Sequence, residues 1–326
     1  MNRIKLSLGA TCLVLSLSMT SPAAVASETY PSQPITIVVG YAAGGTTDII
    51  ARLIGKSLSD SMGQPVIVEN RAGAAGNVGA EYVSKAKPDG YTLMMGTAGN
   101  MTINPLIYKM NFDTVQDFDP ISLVATLPNL MVVNPNVPVT TVQEFVAWAK
   151  DKPDVFFASS GVGSTIHLTG ELFNSAAGLN MTHVPYRGSG PAVADLIGGT
   201  GPVVMFDNMP SSISMVRGGS LKALAVTGPN REASAPEIPT VMESGFPAFN
   251  VVTWFGLFAP ANTPQAIINK LNEKVVQAVK SPQVRDQLIK LGATPATTTP
   301  EQFRDIVRAD RNRWAEVVKT ANIELK

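Results

Sequence analysis

Three short runs of glycine and hydroxyl residues stand out in the chain: Gly44-Gly45-Thr46-Thr47-Asp48, Ser159-Ser160-Gly161-Val162-Gly163-Ser164-Thr165 and Gly188-Ser189-Gly190-Pro191-Ala192. Each follows a strand-like stretch and precedes a helix-like one. Each can therefore offer unpaired backbone N–H groups and the positive end of a helix to an anion. Glycine lets the backbone approach a ligand closely. It also simply makes tight turns, but three runs of one kind favour binding. No G-x-x-x-x-G-K-[ST] loop occurs, and the second run lacks the third glycine of G-x-G-x-x-G because Ile166 stands there. A nucleotide or other cofactor is therefore not expected; a carboxylate is the smaller anion these loops can hold.

The titratable residues near the runs have two uses each. Asp48 can cap its helix or meet a ligand amine, and Asp207, ending a strand before Asn208-Met209-Pro210, faces the same choice. Arg187 can pair with a ligand carboxylate or with a surface acid. Only two histidines exist, His167 and His183. His167 follows the second run and can face a cleft, whereas His183 lies inside a strand and reads as structural. Ser164 and His167, three apart, would suit a small-ester hydrolase as nucleophile and base, but no orienting acid is evident. There is no G-x-S-x-G elbow and no H-E-x-x-H, and the one cysteine, Cys12, falls in the expected leader, so the mature chain has none for a metal.

The elements that must position these residues alternate along the chain. Pro34 to Val39 is β-branched, and Ile49, Ile50, Leu53, Ile54 and Leu58 then recur at helical spacing. Further strands are expected at 65–69, 91–97, 130–133, 155–159, 182–186, 203–207, 221–226 and 251–259. Helices are expected near 80–86, 141–150, 166–176, 188–196, 264–280, 283–291 and 300–320. The first of these later helices to carry a capping box is the one opened by Thr141 and Glu144. This alternation predicts a mostly parallel sheet with helices on both faces. Ligands collect beyond the carboxyl ends of such strands, where the three runs fall. The pattern restarts near residue 129, which divides the chain into one lobe at 27–128 plus 252–326 and a second at 129–251. Two crossings between lobes would make a hinge.

The first residues set the compartment. Arg3 and Lys5 precede an apolar stretch from Leu6 to Met19, and Ala24-Val25-Ala26 has the form that signal peptidase accepts. A signal peptide over 1–26, cleavage and a periplasmic location are expected. Removing 26 of the 326 residues leaves 300, comfortable for two domains. Both basic residues of the leader go with it, leaving 23 basic against 25 acidic side chains, about −2. Without a basic excess or stripe, a nucleic-acid partner is not expected. Charged residues make up 15% of the chain, against roughly 25% in average domains. A well-filled core follows, rather than an electrostatic mode of action.

Several motifs in order and spacing tie these features together. They are Tyr30-Pro31-Ser32-Gln33-Pro34-Ile35, Gly44 to Asp48, Val68-Glu69-Asn70-Arg71-Ala72-Gly73-Ala74-Ala75-Gly76, Lys87-Pro88-Asp89-Gly90-Tyr91-Thr92-Leu93, Val184-Pro185-Tyr186-Arg187-Gly188, Met205-Phe206-Asp207-Asn208 and Glu237-Ile238-Pro239-Thr240. With them the chain resembles the Bug receptors, the TctC-like solute receptors of tripartite tricarboxylate transporters, from Tyr30 to the C-terminus. The resemblance implies an α/β, two-lobed periplasmic-binding-protein fold (a Venus flytrap, type II-like) whose hinged cleft holds a carboxylate largely through backbone and water. Carried over by position, Gly44, Gly45, Thr46 and Asp48 fall on the first-lobe loop. Ser159, Gly161, Ser164 and His167 fall on the second-lobe loop, with Tyr186, Arg187, Gly188 and Asp207 nearby. The family often has Phe-Pro-x-Gly-Gly where this chain has Tyr41-Ala42-Ala43-Gly44-Gly45, which keeps the glycines but changes their approach. A monomer that delivers its small carboxylate to membrane permease subunits is implied, with no reaction catalysed. A ligand sensor for a membrane signalling partner is the alternative.

Overall fold

The computed structural model describes residues 30–320. The expected leader, with Cys12, lies outside the described residues. The strands are β1 (Ile35–Val39), β2 (Val66–Asn70), β3 (Thr92–Thr97), β4 (Phe118–Val133), β5 (Phe156–Ser159), β6 (Thr182–Pro185), β7 (Val204–Asn208), β8 (Lys222–Val226), β9 (Val252–Pro260) and β10 (Thr294–Pro295). The helices are α1 (Thr46–Met62), α2 (Asn77–Ser84), α3 (Asn104–Ile107), α4 (Val142–Lys150), α5 (Thr165–Ala177), α6 (Ser189–Gly198), α7 (Met209–Arg217), α8 (Gln265–Lys280), α9 (Pro282–Lys290) and α10 (Pro300–Thr320).

One strand order runs through the molecule, β2-β1-β3-β9-β4-β7-β5-β6, with β8 and β10 also paired to β4. The two outer trios are parallel, as strand–helix alternation demands: β1 with β2 and β3, and β5 with β6 and β7. The centre departs from the expected parallel sheet, because β9 runs antiparallel to both β3 and β4, and β4 antiparallel to β7 and β8. Only the last four residues of β4 read as strand in the sequence. Pro120 and Pro128 break its front, and proline is tolerated in strands mainly at bulges and edges. Here Pro120 sits beside a register shift, and Pro128 is the last residue of β4 to pair with β9.

From Asn129 onward β4 pairs instead with β7 and β8, so this single strand belongs to both lobes. The chain's return lies alongside: Thr227 N–H donates to Asn129 O at 2.8 Å and Val251 N–H to Thr227 O at 2.9 Å.

Each lobe buries a sheet between helical layers, and the period of two in the strands sorts the residues. In the first, Ile35, Ile37 and Val39 pack with Ile50, Ile54 and Leu58 of α1 and with Leu271 and Val275 of α8. Val38 and Met94 face the other way, toward Val83 of α2 and Phe303 of α10. In the second, Met131, Val133, Phe157, Val204 and Phe206 face Phe145 of α4 and Phe173 of α5. Leu130, Val132, Ala158 and Met205 face Leu196 of α6 and Ile213 of α7. Ile103, Ile107 and Trp314 also join the Phe145–Phe173 cluster, so residues distant in sequence brace the region where the lobes meet. Asp310 ties this brace together, accepting from Trp254 Nε1 at 2.9 Å, Thr102 Oγ1 at 3.0 Å and the Arg313 guanidinium at 2.7 Å.

Helix α7 was not read from the sequence. Its start carries a strong signal, Pro210 in the first turn, but the serines that follow hide its apolar face.

A cleft lined by hydroxyls at four helix ends

Four helices begin at the meeting of the lobes. Helix α1 starts at Gly45, α6 at Gly188 and α7 at Asn208, and none of these N-caps makes a side-chain capping bond. Helix α5 is capped by Ser164, whose Oγ accepts the His167 N–H at 3.1 Å. Between them lies a cavity lined by Tyr41, Gly45, Thr46, Thr47, Thr97, Ser160, Ser164, Thr165, Ser189, Asn208 and Phe255. Eight of these eleven carry hydroxyls and none is cationic. The cavity encloses about 20 Å³, room for about one water, so a carboxylic acid enters only if the lobes part. Two larger hollows lie elsewhere, about 660 Å³ beside Tyr30 and Lys270 and about 540 Å³ beside Arg231 and Glu243. Neither gathers helix ends from both lobes.

The lobes meet through backbone. Ala42 N–H donates to Arg187 O at 2.9 Å. A Cβ on Gly188 would stand 2.8 Å from Ala42 N, and one on Gly190 would stand 2.3 Å from Ala43 O. Gly161, at φ +128°, packs where a Cβ would meet Ala75 at 3.2 Å. Side chains add further crossings: Thr46 Oγ1 with Ser211 Oγ at 3.0 Å and with Asn208 O at 3.4 Å, Tyr108 Oη donating to Val162 O at 2.8 Å, and Arg217 Nη1 donating to Lys290 O at 3.2 Å.

Of the twelve residues expected from the sequence, Gly45, Thr46 and Ser164 line the cavity. The others stand one layer back and hold it. Gly44, in the left-handed region at φ +81°, donates its N–H to Asp48 Oδ2 at 3.1 Å. Asp48 also accepts from Arg52 Nε and Asn70 Nδ2, both at 3.0 Å. Ser159 Oγ lies 2.6 Å from His183 Nε2 and accepts the Gly161 N–H at 3.0 Å. His167 Nδ1 accepts the Gly163 N–H at 3.2 Å, which leaves the ring proton on Nε2, toward Glu171 at 3.5 Å. That geometry gives Ser164 no base: its oxygen receives a backbone N–H from His167, and the ring nitrogen serves the loop. Tyr186 donates its hydroxyl to Asp195, and Arg187 is exposed, reaching the other lobe only through its carbonyl. Gly188 is the close approach to Ala42.

Asp207 is fully buried. It accepts from Ser189 Oγ at 2.6 Å, Ser211 Oγ at 2.5 Å and the Ser212 hydroxyl. Burial pushes its carboxyl up, and the three hydroxyls with the Asn208 N–H oppose that without overcoming it.

Asp48 shows the opposite balance. Burial would raise its carboxyl, but the bonds from Arg52, Gly44 and Asn70 outweigh burial and hold it below the usual carboxylate range. A folded-state value below the unfolded one means stability that is present above about pH 4 and fades as pH falls through the folded value. Asp48→Asn should therefore lower the melting temperature at neutral pH and flatten its decline below pH 4. An unchanged acid limb in the variant would show that the Asp48 cluster does not contribute.

Tyr41, Thr97 and Phe255 line the cavity without being among the candidate binding residues of the sequence. Thr97 ends β3, where ligands gather in α/β sheets, so its position could have been read; Phe255, inside β9, offers no such signal.

Residues 50–323 match the family model described as the tripartite tricarboxylate transporter family receptor. The chain is 38% identical to BugT of Bordetella pertussis over 93% of this chain and 94% of that protein. Among solved structures, an R. palustris protein with adipate superposes with a TM-score of 0.88 at 38% identity, covering 90% of this chain and 99% of the other. The periplasmic binding protein BugD superposes with the same TM-score at 33% identity, again over 90% and 99%.

Proposed function

The chain belongs to the tripartite tricarboxylate transporter receptor family, and from that membership we propose that it captures a small carboxylate in the cleft and passes it to the membrane permease subunits of such a transporter. The observation that carries this reading is the convergence of four helix N-termini, from both lobes, on one hydroxyl-lined cavity. Uncapped N–H groups and aligned peptide dipoles hold an anion without any lysine or arginine. The adipate bound to a relative is an anion of the expected class.

In this reading Gly45, Thr46 and Ser164 touch the ligand or its waters, and Gly44, Asp48, Ser159, Gly161, His167, Tyr186, Arg187, Gly188 and Asp207 fix the loops that do. The lobes are 27–128 with 252–326, and 129–251. They swing about Pro128–Asn129 and Val251–Val252, where β4 changes partners and the chain returns. The protein is an exported monomer, freed of residues 1–26, and catalyses no reaction. The geometry of Ser164 and His167 supports that last point.

Binding of an acid to the closed form should raise the melting temperature, since ligand at a hundred times its dissociation constant stabilises by about 2.7 kcal/mol. A thermal-shift screen of mono-, di- and tricarboxylates tests this. Stabilisation by at least one acid is expected; none across the panel would sink the reading.

A further inference from the structure

We propose that Asp207 polarises the cleft, so that the ligand is a carboxylic acid that also carries a hydrogen-bond donor, a hydroxyl or an ammonium group. The inference rests on the carboxylate reading above and narrows it. It starts from a count of hydrogens. A hydroxyl has one hydrogen to give and two lone pairs to receive with. The hydrogen of Ser189 goes to Asp207 Oδ1 at 2.6 Å and that of Ser211 to Asp207 Oδ2 at 2.5 Å. Ser212 donates to the same carboxyl. With the Asn208 N–H, four donors converge on two oxygens, the pattern of an acceptor-only carboxylate.

Two consequences reach the cavity wall. Ser189 lines it, and with its hydrogen committed to Asp207 it presents only lone pairs. Thr46 also lines it. Ser211 spends its hydrogen on Asp207, or on the Asn208 carbonyl 2.8 Å away, so the 3.0 Å contact with Ser211 Oγ is donated by Thr46, whose hydroxyl also reaches the Asn208 carbonyl at 3.4 Å. Thr46 therefore has lone pairs left and no hydrogen. Across the cavity the polarity reverses. Ser164 Oγ already accepts the His167 N–H, so its hydrogen is free for the ligand, beside the hydroxyls of Ser160 and Thr165 on the same loop. The Ser164 side offers hydroxyl hydrogens to a carboxylate; the Thr46 and Ser189 oxygens, beside the N–H groups that begin α1 and α6, accept from a donor that the ligand carries. A site that accepts from a ligand hydroxyl or amine rejects the analogue lacking it, because its lone pairs are then buried against carbon.

Matched acids test this by titration calorimetry on the full mature chain: propionate, lactate and alanine; succinate, malate and aspartate; glutarate, 2-hydroxyglutarate and glutamate. In each set that binds, the donor-bearing member should bind at least tenfold tighter than the unsubstituted acid, about 1.4 kcal/mol. The two substituted members of a set separate hydroxyl from ammonium. Ser189→Ala and Asp207→Asn should each bring that ratio toward one. The first removes the acceptor; the second introduces an amide that donates and releases a hydroxyl hydrogen. If Asp207→Asn does not melt cooperatively, Ser189→Ala alone decides. Equal or tighter binding of the unsubstituted acids overturns the inference and leaves the carboxylate reading standing, as does a ratio that Ser189→Ala leaves unchanged. Silence from all nine acids overturns the inference, and silence from the wider mono-, di- and tricarboxylate panel overturns the carboxylate reading with it.

Discussion

Gly190→Ala should weaken ligand capture by a hundredfold or more while leaving the unliganded protein as stable as before. Gly190 is the second residue of α6, a position whose backbone any residue can adopt. In the helix interior alanine is favoured over glycine by roughly 0.5–1 kcal/mol, so nothing local opposes the change. The obstacle lies across the cleft. The added Cβ would stand 2.3 Å from the Ala43 carbonyl oxygen, well inside contact distance, and a backbone oxygen on a packed loop cannot swing aside as a flexible side chain would. The lobes must stay apart by an ångström or more. At that separation Thr46 at the start of α1 and Ser189 at the start of α6 no longer close on one ligand together. Titration calorimetry reads the affinity, and a thermal melt without ligand reads the fold. Wild-type affinity in the variant would show that the Ala43–Gly190 approach is not part of the bound state.

The same position shows what the sequence revealed and what it concealed. Glycine and hydroxyl runs at strand–helix junctions were visible, because a residue without Cβ marks any place where backbone must come close. What comes close was not visible: at Gly161, Gly188 and Gly190 it is the opposite lobe's backbone, at Ala75, Ala42 and Ala43. Elements with clean periodicity were equally legible, and α10 spans 300–320 as its spacing predicts. The front of β4 was not, because two prolines interrupt it and its justification, a bulge and a change of partner, exists only in the assembled sheet. The Asp207 cluster was hidden for a different reason. Ser189 lies 18 residues from Asp207 while Ser211 and Ser212 lie four and five away, and a spacing that mixes a turn of helix with a tertiary contact has no one-dimensional signature.

Phe173→Ala should cost about 3–5 kcal/mol of folding free energy, among the largest losses for any single truncation here. Phe173 is fully buried on α5 and its ring lies 5.1 Å from Phe206, 5.4 Å from Phe246, 6.0 Å from Phe249 and 6.5 Å from Phe145. These neighbours come from β7, α4 and the loop before β9, so no single shift can fill the gap; each ring is held by its own element. The measurement is the denaturant midpoint at constant m-value, and a loss under 1 kcal/mol would mean that the cluster collapses around the missing ring. Affinity should respond quite differently. The binding end of α5 is fixed by other contacts, the Ser164 cap nine residues before Phe173 and the bond from Asn129 Nδ2 to Thr169 Oγ1 at 2.8 Å. Under conditions where the variant is folded, its dissociation constant should stay within about twofold of wild type, a difference of roughly 0.4 kcal/mol. Phe173→Ala thus loses stability with its binding kept, and Gly190→Ala loses binding with its stability kept. Finding both would place the packing that holds the second lobe together and the backbone approach that shuts the cleft on separate parts of the same lobe.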